Sequence, residues 1–232
     1  MPGRHIRSMD ELEQEREQWN DIYENSGMKS PVMCFEYVKH WYECFSPPKD
    51  IRVFKVMEGD KIIGLLPMVV RTNKGVRILM NQTNDHCLYG DALVRQGYEE
   101  AFKKKLLDEI LDERGWDVLH HIFGYSFSAV YPLFPESLLA KSKHRWKMNI
   151  QPTYTIQLNK SFSEYFKNDL SHNTRKSIKL KLNRLKKSGQ FNYLHYEGNE
   201  AVGLWPELLR IEDSGWKGKN GTSILKTAPE YQ

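Results

Sequence analysis

The residues best suited to acid–base chemistry are Asp85 and His86, in the polar segment Asn84-Asp85-His86. The segment follows a predicted strand, so we expect a loop, where catalytic groups are often held on a rigid scaffold. An aspartate beside a histidine can deprotonate an attacking amine. The same segment is also typical of a turn, because Asn and Asp side chains bond to nearby backbone amides. Both interpretations stay open.

A second informative group of residues is cationic. Segment 171–190 holds seven Lys or Arg residues and no carboxylate. The whole chain has 34 basic and 30 acidic residues, so without these seven the balance is 27 against 30. The positive net charge is therefore concentrated in this one segment, in Arg175, Lys176, Lys179, Lys181, Arg184, Lys186 and Lys187.

The cationic segment has the pattern of a helix. Ile178, Leu182 and Leu185 recur at i, i+4 and i+7, which predicts one buried apolar seam. Ser171 is placed to cap the start, and Gly189 to end the helix in a left-handed conformation. The outer face of this helix is then strongly cationic.

Two interpretations of the cationic face stay open. Charge runs are commonly solvated, and carboxylates of the following helix, Glu207, Glu212 or Asp213, are available partners. Alternatively the face binds anions such as cofactor phosphates, a nucleic acid or an acidic partner, because like charges at i, i+4 cost stability when unpaired. Arg175, Lys176 and Lys179 are the candidate anion contacts.

Two further pairs of residues have side chains of the types that bind substrates or metals. Trp216 and Lys217 precede Gly218 and can contact a substrate or close a core. His120 and His121 lie in a predicted strand, so their side chains point to opposite faces and form no common metal site. The sequence contains no zinc spacing, P-loop or nucleophile elbow, and we predict no metal.

Composition favours a folded cytoplasmic protein. Forty per cent of the 232 residues are apolar and 12% aromatic, which suffices for a core. The polar N-terminus lacks the apolar region of a signal peptide, and the three cysteines fit free thiols in a reducing compartment. We predict no membrane span, because the longest apolar run, around Ile62–Val70, is too short.

The predicted elements give an α/β fold with a mixed, mostly antiparallel sheet flanked by helices. Residues 8–158 are predicted in the order α-α-β-β-β-α-β-α-β, followed by connecting helices in 159–189 and a second half beginning at 190. The predicted strands are Ile51–Met57, Lys61–Arg71, Val76–Met80, Cys87–Val94, Trp116–Phe123, one or two strands in Arg145–Leu158, and Phe191–Tyr196. The predicted helices are Ser8–Asn25, Ser30–Phe45, Gly97–Arg114, residues 126–140, Phe162–Asn168, the cationic helix and Ala201–Ser214.

This order resembles the GNAT acyltransferase fold, and several stretches resemble its BioF2-like or CelD-type acetyltransferase branch, related to the FemAB peptidyltransferases. Members of that branch resemble two GNAT halves in tandem. A helix-start signal at Thr227–Glu230 lies two residues before the end, so we expect a truncated second half. The stretches that carry the resemblance are Pro31–Trp41, Ile62–Pro67, Trp116–Leu119, Ser171–Gly189 and Glu212–Gly218.

The resemblance implies acyl transfer from acetyl-CoA or another acyl-CoA to an amine or hydroxyl, on a small-molecule or a cell-envelope or polysaccharide-related acceptor. It implies a diphosphate site at a helix start, which in this half is Arg95–Glu100. Glu99 and Glu100 occupy that first turn and repel phosphate, so we expect the acyl-CoA site beyond Gln232. The alternatives are tRNA binding or FemAB-like aminoacyl transfer, and a non-catalytic remnant. The oligomeric state and the acceptor stay open.

Overall fold

The computed structural model describes residues 5–27, 29–47, 50–84, 87, 90–120, 156, 159–189 and 191–227. The chain divides into two compact units, Met1–Ile150 and Gln151–Gln232, and each is described by itself. The elements of the first unit are β1 (His5–Ile6), α1 (Met9–Gln14), α2 (Arg16–Glu24), a 3-10 turn (Pro31–Met33), α3 (Phe35–Phe45), β2 (Ile51–Glu58), β3 (Lys61–Asn73), β4 (Val76–Asn81), β5 (Leu93–Val94), α4 (Glu99–Asp112) and β6 (Val118–His120).

The sheet of the first unit has the strand order β1-β2-β3-β4-β6, with β5 also paired to β3. Every pairing is antiparallel except that of β4 with β6, which is parallel. The predicted mixed, mostly antiparallel sheet is thus confirmed, and the predicted strand at Trp116–Phe123 is present as Val118–His120 among the described residues.

Helices cover both faces of the sheet. Strand β3 is buried over nine consecutive positions, which requires apolar contacts above and below it. One hydrophobic cluster joins α1, α2 and α3 to one face, and a second joins α4 to the other. Large buried rings also make polar contacts: Trp19 Nε1 donates to the Met33 carbonyl at 2.9 Å, and the Tyr42 hydroxyl donates to the Met68 carbonyl at 3.0 Å.

Gly64 lies at an irregularity in the pairing of β2 with β3. The β2–β3 register shifts between Val56 and Met57, which pair with Gly64 and Ile62 and leave Ile63 as the extra residue of a bulge. The missing side chain is also needed for packing, because α4 lies directly over this position through Phe102.

Pro67 lies in the interior of β3, opposite Val53 of β2. On the other edge of β3, pairing with β5 ends at Leu65 and pairing with β4 begins at Met68. A proline cannot donate to a sheet ladder, and this two-residue gap is where a missing N–H is tolerated.

Three helix and strand predictions need correction. The helix predicted from Ser8 to Asn25 breaks at Glu15, whose carboxylate binds Lys55 of β2 at 2.6 Å. The helix predicted at Ala201–Ser214 is two helices that meet at Leu204, one residue before Trp205-Pro206. Phe191–Tyr196 is not a strand, since an alternating pattern becomes a strand only when an edge is available to pair with it.

The elements of the second unit are helical in the described residues. The cationic helix is present as His172–Lys187, but its predicted buried seam is wrong, because Leu182 and Leu185 remain 46% and 45% exposed. The predicted elements at 126–140 and Arg145–Leu158 lie outside the described residues, Ile156 excepted. The helices are α5 (Phe162–Asn168), α6 (His172–Lys187), α7 (Gly198–Gly203), α8 (Trp205–Ser214) and α9 (Trp216–Lys219), followed by a 3-10 turn (Ile224–Lys226).

Among the described residues, every helix is too short or too polar to span a lipid bilayer. The same residues also hold no cluster of three or more His, Cys, Asp or Glu side chains that could bind a metal ion.

Replacing Gly64 by alanine should destabilise the first unit. The added Cβ would lie 2.5 Å from Phe102 Cδ2 and 2.9 Å from the Leu93 carbonyl oxygen. Overpacking of this kind costs about 1–3 kcal/mol in the free energy of unfolding. Urea titration followed by circular dichroism measures it. Gly27→Ala is the matched control, because its Cβ would lie at ordinary contact distance, 3.7 Å from Glu99 Oε1. Equal stability of the two variants would contradict this packing.

Candidate functional site

Strands β4 and β5 are two pieces of one interrupted strand. Both run antiparallel to β3, with Asn81 opposite Met68 and Leu93 opposite Leu65. Only two residues of β3 separate these pairs, whereas the other side carries residues 82–92 between them. The chain therefore leaves the sheet and returns to the same edge, and the excursion begins beside the parallel strand β6.

Polar side chains at the two ends of this excursion are buried. Gln82 and Asp91 are each 2% exposed, and Thr83 is 6% exposed. Asp91 Oδ1 accepts from the backbone N–H of Ala92 at 2.7 Å. Within the described part of the chain, Gln82 Oε1 is buried and has no hydrogen-bond partner. Buried polar atoms without partners are rare, and they are typical of places where a ligand or water binds.

The backbone of the excursion is closely folded. Asn84 and Cys87 exchange backbone hydrogen bonds of 3.0 and 3.1 Å, and Asn84 Oδ1 also accepts from the Cys87 N–H at 2.8 Å. Gly90 lies against the Asn81 side chain, where an added Cβ would come within 2.8 Å of Asn81 Cβ. The candidate catalytic pair, Asp85 and His86, lies outside the described residues, so its assignment stays a prediction.

An exposed ion pair joins the start of β4 to the residue that precedes β6. Asp117 Oδ1 accepts from Arg77 Nη2 at 2.7 Å, and Oδ2 accepts from the Arg77 backbone N–H at 2.8 Å. The hydrogen bonds from Arg77 lower the pKa of Asp117 to about 2. These contacts join the starts of β4 and β6, at the end of the two strands away from the excursion.

The start of α4 is occupied by the chain's own carboxylate. Gly97, at φ +84°, donates its N–H to Glu99 Oε1 at 3.1 Å. A shallow cleft of about 390 Å³ adjoins this turn and contains Arg95 and Lys61. Arg95 donates to the Ile62 carbonyl at 2.9 Å and pairs with Asp21, so its charge is already balanced. This helix start does not fit a diphosphate group.

The candidate anion contacts on α6 differ from one another. Arg175 Nη1 donates to the Lys167 carbonyl at 2.7 Å and to the Leu170 carbonyl at 2.6 Å, which ties the end of α5 to the start of α6. Lys176 and Lys179 are exposed and, in the described residues, have no acidic partner. Ser171 caps the helix as predicted, accepting from the Thr174 N–H at 3.2 Å.

The carboxylates of α8 that were available as partners for the cationic face bind elsewhere. Glu207 pairs with Arg210 at 2.6 Å, and Glu212 pairs with Lys217 at 2.7 Å. Asp213 accepts from the Ser223 hydroxyl at 2.5 Å and lies 3.3 Å from Lys226 Nζ. The bonds from Lys217 and from Ser223 lower the pKa values of Glu212 and Asp213, respectively.

Residues 212–227 form a tightly bonded loop around Gly218. Glu212 Oε2 accepts from the Ile224 N–H at 2.9 Å, and Lys226 Nζ donates to the Gly218 carbonyl at 2.8 Å. Lys217, a candidate substrate contact, is therefore held by Glu212. Trp216, the other candidate, is 68% exposed and closes no core in the described residues. The binding roles of Trp216 and Lys217 stay predictions.

The buried residues Gln82, Thr83 and Asp91 were not among the sequence candidates. A signal for the first two was present, since the run Asn81-Gln82-Thr83-Asn84 follows directly on an apolar strand. Their burial could not be predicted from the sequence, because polar runs after strands are usually exposed loops.

No protein-family model matches this chain, and no curated protein matches it. Among solved structures, it is similar to an aminoglycoside acetyltransferase, meta-AAC0020, from an uncultured soil metagenomic sample. The structure of that protein in complex with sisomicin has 13% sequence identity to this chain and a TM-score of 0.38. Its structure in complex with trehalose has 14% sequence identity and a TM-score of 0.37. Each match covers 66% of this chain and 94% of the other chain. A protein described as a possible acetyltransferase from Clostridium difficile 630 is 13% identical at TM-score 0.37, over 66% of this chain and 97% of that one.

Acetyl-CoA should bind the chain weakly, because the carboxylates of Glu99 and Glu100 lie in the first turn of α4 and repel phosphate. Isothermal titration calorimetry with acetyl-CoA measures this. Glu99→Gln should raise the affinity about two- to fivefold, the usual effect of one charge at a helix end. Asp112→Asn is the matched control, since it removes the same charge at the other end of α4. Tight stoichiometric binding by the unaltered chain would contradict this account of the helix start.

Gly218→Ala should open the loop 212–227, because the added Cβ would overlap the Asp213 carbonyl oxygen. Limited trypsin digestion read by mass spectrometry should then show faster cleavage after Lys217 and Lys219. Gly215→Ala is the control in the same segment, since its Cβ would lie 3.5 Å from the Glu212 carbonyl oxygen, an ordinary contact. Equal cleavage rates in the two variants would show that the close approach at Gly218 does not hold the loop.

Proposed function

We propose that this protein is an acyltransferase of GNAT type, which moves an acyl group from acyl-CoA directly to an amine or hydroxyl acceptor. The observation that carries the proposal is the interrupted strand β4–β5. It combines a break in a buried sheet edge, a parallel neighbour at β6 and buried polar side chains at both ends of the excursion.

Direct acyl transfer requires two kinds of catalytic group in a protein. A base must take the proton of the attacking amine or hydroxyl, and hydrogen-bond donors must stabilise the oxygen of the attacked carbonyl. The described residues of the excursion, 82–84, 87 and 90–92, lie outside the β3 ladder, so their backbone N–H groups are not committed to strand pairing with β3. Such groups are suitable donors for a carbonyl oxygen, and the polar residues around them provide a binding environment away from bulk water.

We assign the base to the Asp85–His86 pair, which belongs to the same excursion in sequence. A histidine near its ordinary pKa is the side chain best matched to proton transfer at neutral pH, and a neighbouring carboxylate stabilises its charged form. Gln82 is proposed to orient the acceptor through its buried side-chain oxygen, which accepts a hydrogen bond from an N–H or O–H group.

The donor is proposed as acetyl-CoA or another acyl-CoA, which would supply the activated acyl group as a thioester. The start of α4 does not fit its diphosphate, and no step is assigned to that turn. The finer placement within the BioF2-like, CelD-type branch is also proposed, on the five stretches that carry the resemblance. A small-molecule amine or a cell-envelope or polysaccharide-related hydroxyl is the proposed class of acceptor.

The proposal is tested by thiol release from acetyl-CoA at high donor concentration, over a panel of small amines and hydroxylated sugars. His86→Gln and Asp85→Asn should each lower the rate with the best acceptor about 100-fold or more, the usual contribution of a general base. His120→Gln is the matched control, because His120 is an exposed histidine of the same sheet.

Two results would contradict the proposal. One is the absence of acceptor-dependent thiol release by a chain whose circular dichroism shows it to be folded. The other is a rate that neither His86→Gln nor Asp85→Asn changes, which would show that the general base is a different residue.

A further inference from the structure

The cationic helix α6, His172–Lys187, is exposed along its whole length. None of its 16 residues is buried, and only Arg175 and Ile178 are partly buried. Six of its seven cations, all except Arg175, have neither an acidic partner nor a carbonyl partner in the part of the chain that the structure describes. They are Lys176, Lys179, Lys181, Arg184, Lys186 and Lys187.

The same helix exposes an apolar stripe. At about 100° per residue, Ile178, Leu182 and Leu185 fall within an arc of roughly 60°. Leu182 and Leu185 are 46% and 45% exposed. Lys181 borders one edge of the stripe and Lys186 the other, so the apolar side chains lie between cationic ones. Leu180, 49% exposed, lies nearly opposite the stripe.

We propose that α6 binds the surface of an anionic lipid membrane, lying in the plane of the interface with Leu182 and Leu185 turned toward the acyl chains. Interfacial helices combine a charged face rich in Lys and Arg, an apolar face and low net hydrophobicity. Lysines at the borders of the stripe reach the headgroup phosphates while their methylene stems cover apolar surface. A helix of 16 residues is about 24 Å long and contacts several headgroups at once.

Charge and side-chain type favour this partner over the alternatives. A second copy of the helix is disfavoured because two faces without a single carboxylate repel each other. A single-stranded nucleic acid stacks its bases on aromatic side chains, and α6 has no Phe, Tyr or Trp. An apolar stripe between lysines also adds nothing to phosphate contacts along a nucleic acid, whereas it adds directly to binding at a lipid interface.

Co-sedimentation of the full chain with vesicles tests the proposal. One preparation contains phosphatidylcholine alone, and the other an equal mixture of phosphatidylcholine and phosphatidylglycerol. We expect binding to the mixed vesicles only, weakening as sodium chloride is added because exposed charges are screened. Lys181→Gln and Lys186→Gln should each lower the partition coefficient about fivefold.

The apolar stripe has a control on its own helix. Leu182→Gln with Leu185→Gln should lower the partition coefficient about tenfold or more, since the contacts of two leucines with the acyl chains are lost. Leu180→Gln should leave the partition coefficient unchanged, although it makes the same chemical change on the opposite face. Circular dichroism of each variant establishes that helix content is retained.

A parallel titration with tRNA separates a membrane from a nucleic acid. The proposal is overturned if the chain binds tRNA but not the mixed vesicles, if both vesicle types bind equally, or if the paired leucine change has no effect. It is supported if the paired leucine change weakens vesicle binding alone. None of these readouts depends on acyl transfer, so the result stands apart from the proposed function.

Discussion

The burial of strand β3 on both faces is the constraint on which the first unit depends. Its run of apolar residues must contact α1, α2 and α3 on one side and α4 on the other. The strand also has two edges to pair: β2 follows nearly the whole of one edge, and β4 and β5 divide the other. Because β4 and β5 pair with opposite ends of the same edge, the residues between them must leave the sheet where it is most deeply buried. The polar side chains of Gln82, Thr83 and Asp91 are therefore enclosed by the packing that stabilises the sheet.

Elements determined by local pattern could be predicted from the sequence, and elements determined by distant contacts could not. The strands at Ile51, Lys61 and Val76 and the cationic helix follow from short-range periodicity and turn residues. At the break in the first predicted helix, Glu15 pairs with Lys55, 40 residues away, and a contact of this kind cannot be predicted from local pattern. Phe191–Tyr196 shows the reverse case: its alternation is correct for a strand, but Tyr193 is 86% exposed and no edge lies beside it among the described residues.

The same distinction applies to the candidate site. Residue type identified Asp85, His86 and the cations of α6, but it did not show which polar groups are enclosed or already bonded. Gln82 resembles a loop residue in the sequence, and the structure buries it. Arg175 resembles its cationic neighbours, yet it donates to the carbonyl groups of Lys167 and Leu170, and among the described residues the other cations of α6 have no such contact. Spacing along a helix gives the direction of a side chain, but the partner depends on where the preceding helix ends.

The two units differ in the contacts that their side chains make. The first unit places its buried apolar side chains in two clusters, whereas the described residues of the second contribute none to the fully buried apolar set. In the second unit, three carboxylates of α8 are bonded to residues of α8 itself and of the segment that follows it, namely Arg210, Lys217, Ser223 and Lys226. Because these local bonds engage those carboxylates, none of them neutralises α6. The helix α6 therefore keeps its positive charge. An anion is attracted by its exposed lysines together rather than by any single one.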